Sequence, residues 1–261
     1  MLFDKVALGV LIGILAMFIS PQQVDAAIRG ANWATQNAVQ ASLPVVIAYT
    51  IALLLTEDFF RYWAHRWMHT SPFLWQFHKV HHSAATLVPV SELRTHPVNG
   101  LINLTRAVIA IPLVTVVFLL VFPGKLTAIS ILGVNAGRFL FNIGGAHLRH
   151  SHVWLSFGPF WERLVISPAQ HQIHHSQAEE HRNLNFGSQF AIWDWMFGTL
   201  YLTKKREQVR FGIEPEDMKR LQTVAQLYLV PFRDAWAVVQ ATRADRRARR
   251  RDADVGRAVS T

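Results

Sequence analysis

The chain has no cysteine, which removes disulfides, thiolate-ligated haem, iron–sulfur clusters and thiol catalysis together. Charge is scarce too: charged residues are 16% of the 261, against about 25% in ordinary soluble domains. Hydrophobic residues make up 51%, a balance that suits a membrane protein. Within the small charged fraction, 26 Lys and Arg stand against 17 Asp and Glu, a formal charge of +9. In an apolar chain such an excess marks the cytoplasmic side and attraction to anionic headgroups. The apolar bulk argues against nucleic acid as a partner. Two metal motifs are also missing: the His-Glu-x-x-His of zinc proteases and the Glu-x-x-His of soluble di-iron carboxylate bundles. No internal repeat is present.

Four apolar stretches lie along the chain. Val6 to Ile19 is expected to be a retained helix, with a signal peptide as the alternative given Ala26-Ala27 behind it. The second runs roughly from Ala38 to Leu55. The third, Leu101 to Phe122, is long enough for a bilayer of about 30 Å. Pro123-Gly124-Lys125 then turns the chain into a fourth, Leu126 to about Ala146, giving a helical hairpin. Asn135 and Arg138 in that fourth stretch are costly in lipid and should face protein or a water-filled cavity. If all four cross, segments 57–100 and 147–261 share one side, and these hold every histidine. They also hold nearly all the Lys and Arg, so the positive-inside rule places that side in the cytoplasm. After about residue 206 the chain turns polar, and Arg243, Arg246, Arg247, Arg249, Arg250 and Arg251 form a solvated tail drawn to anionic lipid.

What the chain does have is histidine in a rare pattern. His-x-x-His-His occurs as His78, His81, His82 and again as His171, His174, His175, with a His-x-x-x-His pair, His65 and His69, upstream. Histidines at i, i+3 and i+4 leave one helix face, so each group can offer several imidazoles to one point. Neighbours such as His81 and His82 diverge by about 100°, so one ligand could go to each of two metals. Imidazole suits iron, zinc and copper, and the groups together imply more than one ion. Asp58 shares a face with Tyr62, His65 and His69, and it or Glu57 is expected to hydrogen-bond the second ring nitrogen of a ligand histidine. His147 and His150 are spaced for one face. His152 lies off that face, His96 sits on a turn as ligand or supporting residue, and His181 lies beyond the last group.

These residues resemble the fatty acid hydroxylase/sterol desaturase superfamily of integral-membrane di-iron enzymes over roughly residues 50–205. The resemblance rests on Tyr62-Trp63-x-His65-Arg66-x-x-His69, Leu74-Trp75-x-x-His78-x-x-His81-His82-Ser83 and Arg94-x-His96-Pro97. It continues in Ser167-Pro168-x-x-His171-x-x-His174-His175-Ser176, Asn185-Phe186-Gly187 and Trp193-Asp194-x-x-Phe197-Gly198-Thr199. It implies ten metal ligands: His65, His69, His78, His81, His82, His147, His150, His171, His174 and His175. Asp58, His96, Asn185 and Asp194 become supporting residues or possible further ligands. Two departures stand out: Trp195 replaces the usual arginine, and His147 and His150 are one residue too close for the His-x-x-x-His of some relatives.

The resemblance further implies an all-α polytopic membrane protein, a single domain over 1–261 with about four transmembrane helices and a cytoplasmic histidine-rich helical cap, in a bacterial inner membrane. Two iron ions, with zinc possible in isolated protein, would use O2 and two electrons to hydroxylate or desaturate an unactivated C–H bond of a membrane lipid, in lipid biosynthesis. Sterol-like, fatty-acyl and polar lipids all fit as substrates. No fused cytochrome b5 domain is expected, since His96-Pro97-Val98-Asn99-Gly100 lacks the haem loop's His-Pro-Gly-Gly. Electrons are therefore expected from a separate ferredoxin, cytochrome b5 or reductase-type donor. The rivals are a metal carrier, which would want ionisable ligands within the spans, and a family member without turnover.

Overall fold

A computed structural model describes residues 42–259 apart from 128–129, 132, 136, 138–144, 146 and 204. The first apolar stretch, the loop after it, Arg138 and much of the fourth stretch lie outside the described residues. Those described are helical: no strand occurs among them, and the only ladder-like contacts are isolated bridges, Val165 to Phe190 and Ser176 to Phe211.

Two helices dominate. Helix α1 runs Leu43–Thr70 and α3 runs Pro97–Val121, with the short α2, Pro72–His82, between them. Proline at the first turn of each supplies a fixed φ where no N–H partner is needed. His96 caps α3, its Nδ1 accepting from the Val98 amide at 3.1 Å while its Nε2–H donates to the Tyr228 carbonyl at 3.1 Å. Helices α1 and α3 pack antiparallel around Tyr49, Leu53, Val114 and Leu126. The turn at Pro123-Gly124 brings the Lys125 carbonyl onto the Ser42 amide at 3.1 Å, and Gly124 takes a φ of 70° that suits glycine.

Both helices are long and apolar enough to cross a membrane. Their outer faces carry Leu43, Ile47 and Ile51 on α1 and Leu113, Val116, Val117 and Leu120 on α3, all exposed, as expected of helices whose solvent is lipid. At about 1.5 Å per residue, the 28 residues of α1 reach about 42 Å, more than a bilayer's apolar core of about 30 Å. Its last turns, which hold His65 and His69, therefore extend past the apolar stretch.

Beyond α3 come short pieces: α4 (Gly158–Trp161), α5 (Pro168–His174), α6 (Ile192–Met196) and α7 (Pro215–Lys219). Helix α8, Val224–Val259, is where a solvated tail was expected. Its Pro231 and Ala235 are buried, and Phe232 meets Phe77 of α2 edge to face. Lys79, 2% exposed, joins α2 to this end of the chain: its Nζ reaches Asp217 Oδ2 and Asp234 Oδ2, each at 2.9 Å. Although burial pushes the Asp234 carboxyl up, hydrogen bonds from Lys79 and Arg220 hold it below the usual carboxylate range. Lys79→Met keeps the stem and removes the charge, leaving half-buried carboxylates without one partner. It is expected to cost about 2 kcal/mol, below the about 3–5 kcal/mol of a fully buried pair because Asp217 is partly solvated. Unfolding curves and protease release of 224–259 check this; unchanged stability would mean that α2 does not depend on α8.

Candidate metal centre

Helices α1, α2 and α5 carry seven of the histidines to one place, with His175 directly after α5 and His150 outside all three. Helix α2 starts where Ser71 Oγ accepts from the Leu74 amide, and its last turns hold His78, His81 and His82. Helix α5 has only seven residues, too few to persist alone. Its capping box is complete: Ser167 Oγ accepts from the Gln170 amide at 3.1 Å and Gln170 Oε1 accepts from the Ser167 amide at 3.0 Å. Gln170 Nε2 also donates to the Glu162 and Tyr201 carbonyls. Glu162, fully buried, accepts from the hydroxyls of Ser156, Ser167 and Thr203. Neither Glu162 nor Gln170 stands out as functional in the sequence, yet both fix the helix that presents His171 and His174.

The histidines form two groups. His65, His69, His78, His82 and His174 make one, and His81, His150, His171 and His175 the other; in each, the ligand atoms lie within 4.8 Å of one another. His81 and His82 go to different groups, as do His174 and His175, because adjacent residues diverge around the helix. In the second group the Nε2 atoms face each other, His150 to His81 at 3.1 Å, His171 to His150 at 3.2 Å and His175 to His171 at 3.2 Å. In the first, His65 Nε2 lies 3.1 Å from His78 Nε2. Metal–imidazole bonds of about 2.1 Å set neighbouring ligand nitrogens about 3.0 Å apart at right angles and about 3.4 Å apart at tetrahedral angles. The observed separations fall in that interval.

Two further observations test the fit. The Nε2 atoms of His69, His82 and His174 are buried with no hydrogen-bond partner among the described residues, although buried nitrogens normally find one. Burial, reinforced by neighbouring imidazoles, holds His78, His81, His82, His171, His174 and His175 well below the ordinary histidine range. The rings are therefore neutral at pH 7, with lone pairs available to a metal. The donor set fits two ions.

Outer partners hold several rings in place. His65 Nδ1 donates to the Phe186 carbonyl at 2.7 Å and His174 Nδ1 to the Leu184 carbonyl at 2.9 Å. His78 Nδ1 lies 3.0 Å from the Asn99 amide group, whose oxygen accepts once the amide is turned toward the ring. These bonds direct the opposite nitrogen, Nε2, inward.

The role expected for Asp58 goes elsewhere. Two turns before His65, it is too far along α1 to reach the ring, and its carboxylate accepts instead from the Gln189 and Phe190 amides and the Trp193 indole. It ties α1 to the loop below the site. Glu57 pairs with Arg106. Asn185 Oδ1 accepts from the Tyr201 amide at 2.7 Å, and its φ of 54° is one asparagine tolerates. Asp194 accepts from the Phe186 and Gly187 amides and from Thr199 Oγ1, with burial pushing its carboxyl up to about 6. His147, 42% exposed, lies outside both groups with Nδ1 3.4 Å from Glu92 Oε2. His96 is a helix cap, His181 sits between Ser176 and Glu207, and His152 is exposed. Trp195, where the sequence departs from the motif it resembles, is 56% exposed and faces outward.

The profile of the fatty acid hydroxylase family matches residues 50–199, which contains both groups. Ornithine lipid hydroxylase OlsE of Rhizobium tropici is 28% identical over 173 residues, covering 65% of this chain and 46% of that protein. Sphinganine C4-monooxygenase 1 of Arabidopsis thaliana is 25% identical over 196 residues, 72% of this chain and 68% of that one. A Delta(7)-sterol 5(6)-desaturase of Gibberella zeae is 30% identical over 146 residues, 56% of this chain and 36% of that one. The chain thus spans about half the length of the ornithine lipid hydroxylase and less of the sterol desaturase. No solved structure matches it.

Proposed function

The chain belongs to the fatty acid hydroxylase family, and we propose that it is a membrane-bound di-iron oxygenase that hydroxylates or desaturates an unactivated C–H bond of a lipid. One observation carries this reading: nine histidines, seven buried and two half-buried, sort into two groups with ligand atoms within 4.8 Å, at the end of two helices fit to cross a bilayer. His65, His69, His78, His82 and His174 would hold one iron, and His81, His150, His171 and His175 the other. Bound there, the iron pair would supply activation of O2 with two electrons delivered by an external donor. The protein keeps the imidazoles neutral by burial and aims them through the Phe186 and Leu184 carbonyls. Its buried setting also keeps bulk water from the reacting carbon.

If all four apolar stretches cross, the placement of Lys and Arg puts the cap and C-terminus in the cytoplasm. Helix α8 suits the inner surface of that membrane, with Leu229, Phe232 and Trp236 exposed and the arginines 243–251 beyond them. A reporter fused after Thr261 is expected to read out in the cytoplasm; a readout on the far side would overturn that topology.

Activity is tested by giving the iron-loaded, chemically reduced protein a total lipid extract and isotope-labelled O2. A lipid that gains one labelled oxygen identifies hydroxylation, and one that loses two hydrogens identifies desaturation. Neither product, in protein with both irons bound, would contradict oxygenase function.

A further inference from the structure

Arg149 directly precedes His150, and its side chain is 8% exposed, yet it makes no ion pair and no hydrogen bond with any described residue. A buried guanidinium without a partner is costly. No described neighbour pairs with it. Burial and the nearby Arg61 charge work against its positive charge, and Asp58 and Glu92 act in its favour only from a distance. Asp58 is committed to two amides and an indole, and the partner of Glu92 is His147 at 3.4 Å. Arg61, one turn before His65, gives one bond to Ser188 Oγ at 3.1 Å and adds a second cation.

Position and room make the group usable. Arg149 is the chain neighbour of His150, which belongs to the four-histidine group. One turn back, Gly145 has no side chain, and a Cβ there would lie 3.0 Å from Arg149 Nη1, so the glycine leaves the guanidinium its space. The planar fork of a guanidinium matches the paired oxygens of a carboxylate or phosphate.

We propose that Arg149 receives the anionic headgroup, carboxylate or phosphate, of the lipid substrate, so that oxidation falls within a few bonds of that group. This rests on the oxygenase reading above and narrows it to acidic lipids.

The test is equilibrium binding without turnover, on metal-loaded protein in nanodiscs. The probes share one alkyl chain and end in a carboxylate, a phosphate monoester, a methyl ester or an alcohol. Wild type is expected to bind one of the two acids at least about tenfold more tightly than the ester, the scale of a buried charged contact. Whether carboxylate or phosphate binds better identifies the headgroup. Arg149→Gln is expected to lose that preference with metal content and ester affinity unchanged. Should the Gln variant fail to load metal, Arg149→Lys takes its place: without the fork it is expected to bind the acid several-fold more weakly and the ester as before. A wild type indifferent to headgroup charge, a Gln variant that keeps the preference, or a Lys variant with undiminished acid affinity would each overturn the assignment. Because no turnover is needed, those results would leave the oxygenase reading standing. Lack of turnover with the preference present would do the reverse.

Discussion

His174→Ala and His81→Ala are each expected to lose lipid oxidation by more than about a hundredfold, together with metal. Loss of outer-shell partners alone typically costs 10- to 100-fold in metal affinity or activity, and these are direct ligands in the proposed centre. The two variants probe different groups, His174 the group of five and His81 the group of four. Each sits on a helix that serves both: α2 also carries His78 and His82, and α5 carries His171. Disturbance of one group therefore reaches the other. Metal content and product formation, measured on the same preparations, check the expectation. Full activity in either variant would remove that histidine's group from the chemistry.

Gly187→Ala is expected to be nearly as damaging, although Gly187 contacts no metal. A Cβ at this position would lie 2.5 Å from the Phe190 carbonyl oxygen, 2.7 Å from Asp194 Oδ2 and 3.0 Å from Ile166 Cγ1. The Asp194 carboxylate is there because it accepts the Phe186 and Gly187 amides, so it cannot retreat without breaking both bonds. The same loop supplies the Leu184 and Phe186 carbonyls that orient His174 and His65. Forced apart, it would cost about 1–3 kcal/mol in overpacking and about 10- to 100-fold in metal affinity through the two misaimed rings. Gly133→Ala, where a Cβ meets no described residue within 4 Å, is the control and should be neutral. Metal titration and unfolding of the two variants decide the matter; equal behaviour would show that the Asn185-Phe186-Gly187 loop does not orient the ligands.

The histidine groups were legible in the sequence because three- and four-residue spacings translate directly into helix faces. The two long helices were legible for a similar reason, since an apolar run has few alternatives. What was not legible depends on partners distant along the chain. Lys79 finds its carboxylates 138 and 155 residues away, and no local pattern signals that. Asp58 shared a face with His65, but shared azimuth is not reach: two turns of α1 separate them, and the carboxylate meets the loop at Gln189 and Phe190 instead. Asn99 supports His78 from the start of α3, a position that reads as an ordinary helix opening. The basic tail read as solvated because its arginines dominate its composition, whereas Pro231 and Ala235 at four-residue spacing record the face that α2 covers.

The central claim is that the two histidine groups hold a pair of irons. Iron content and Mössbauer spectra of protein purified anaerobically from cells grown on Mössbauer-active iron test it most directly. The expected result is close to two irons per chain with the spectrum of a coupled pair. No iron, or a single isolated ion such as one zinc per chain, would contradict it.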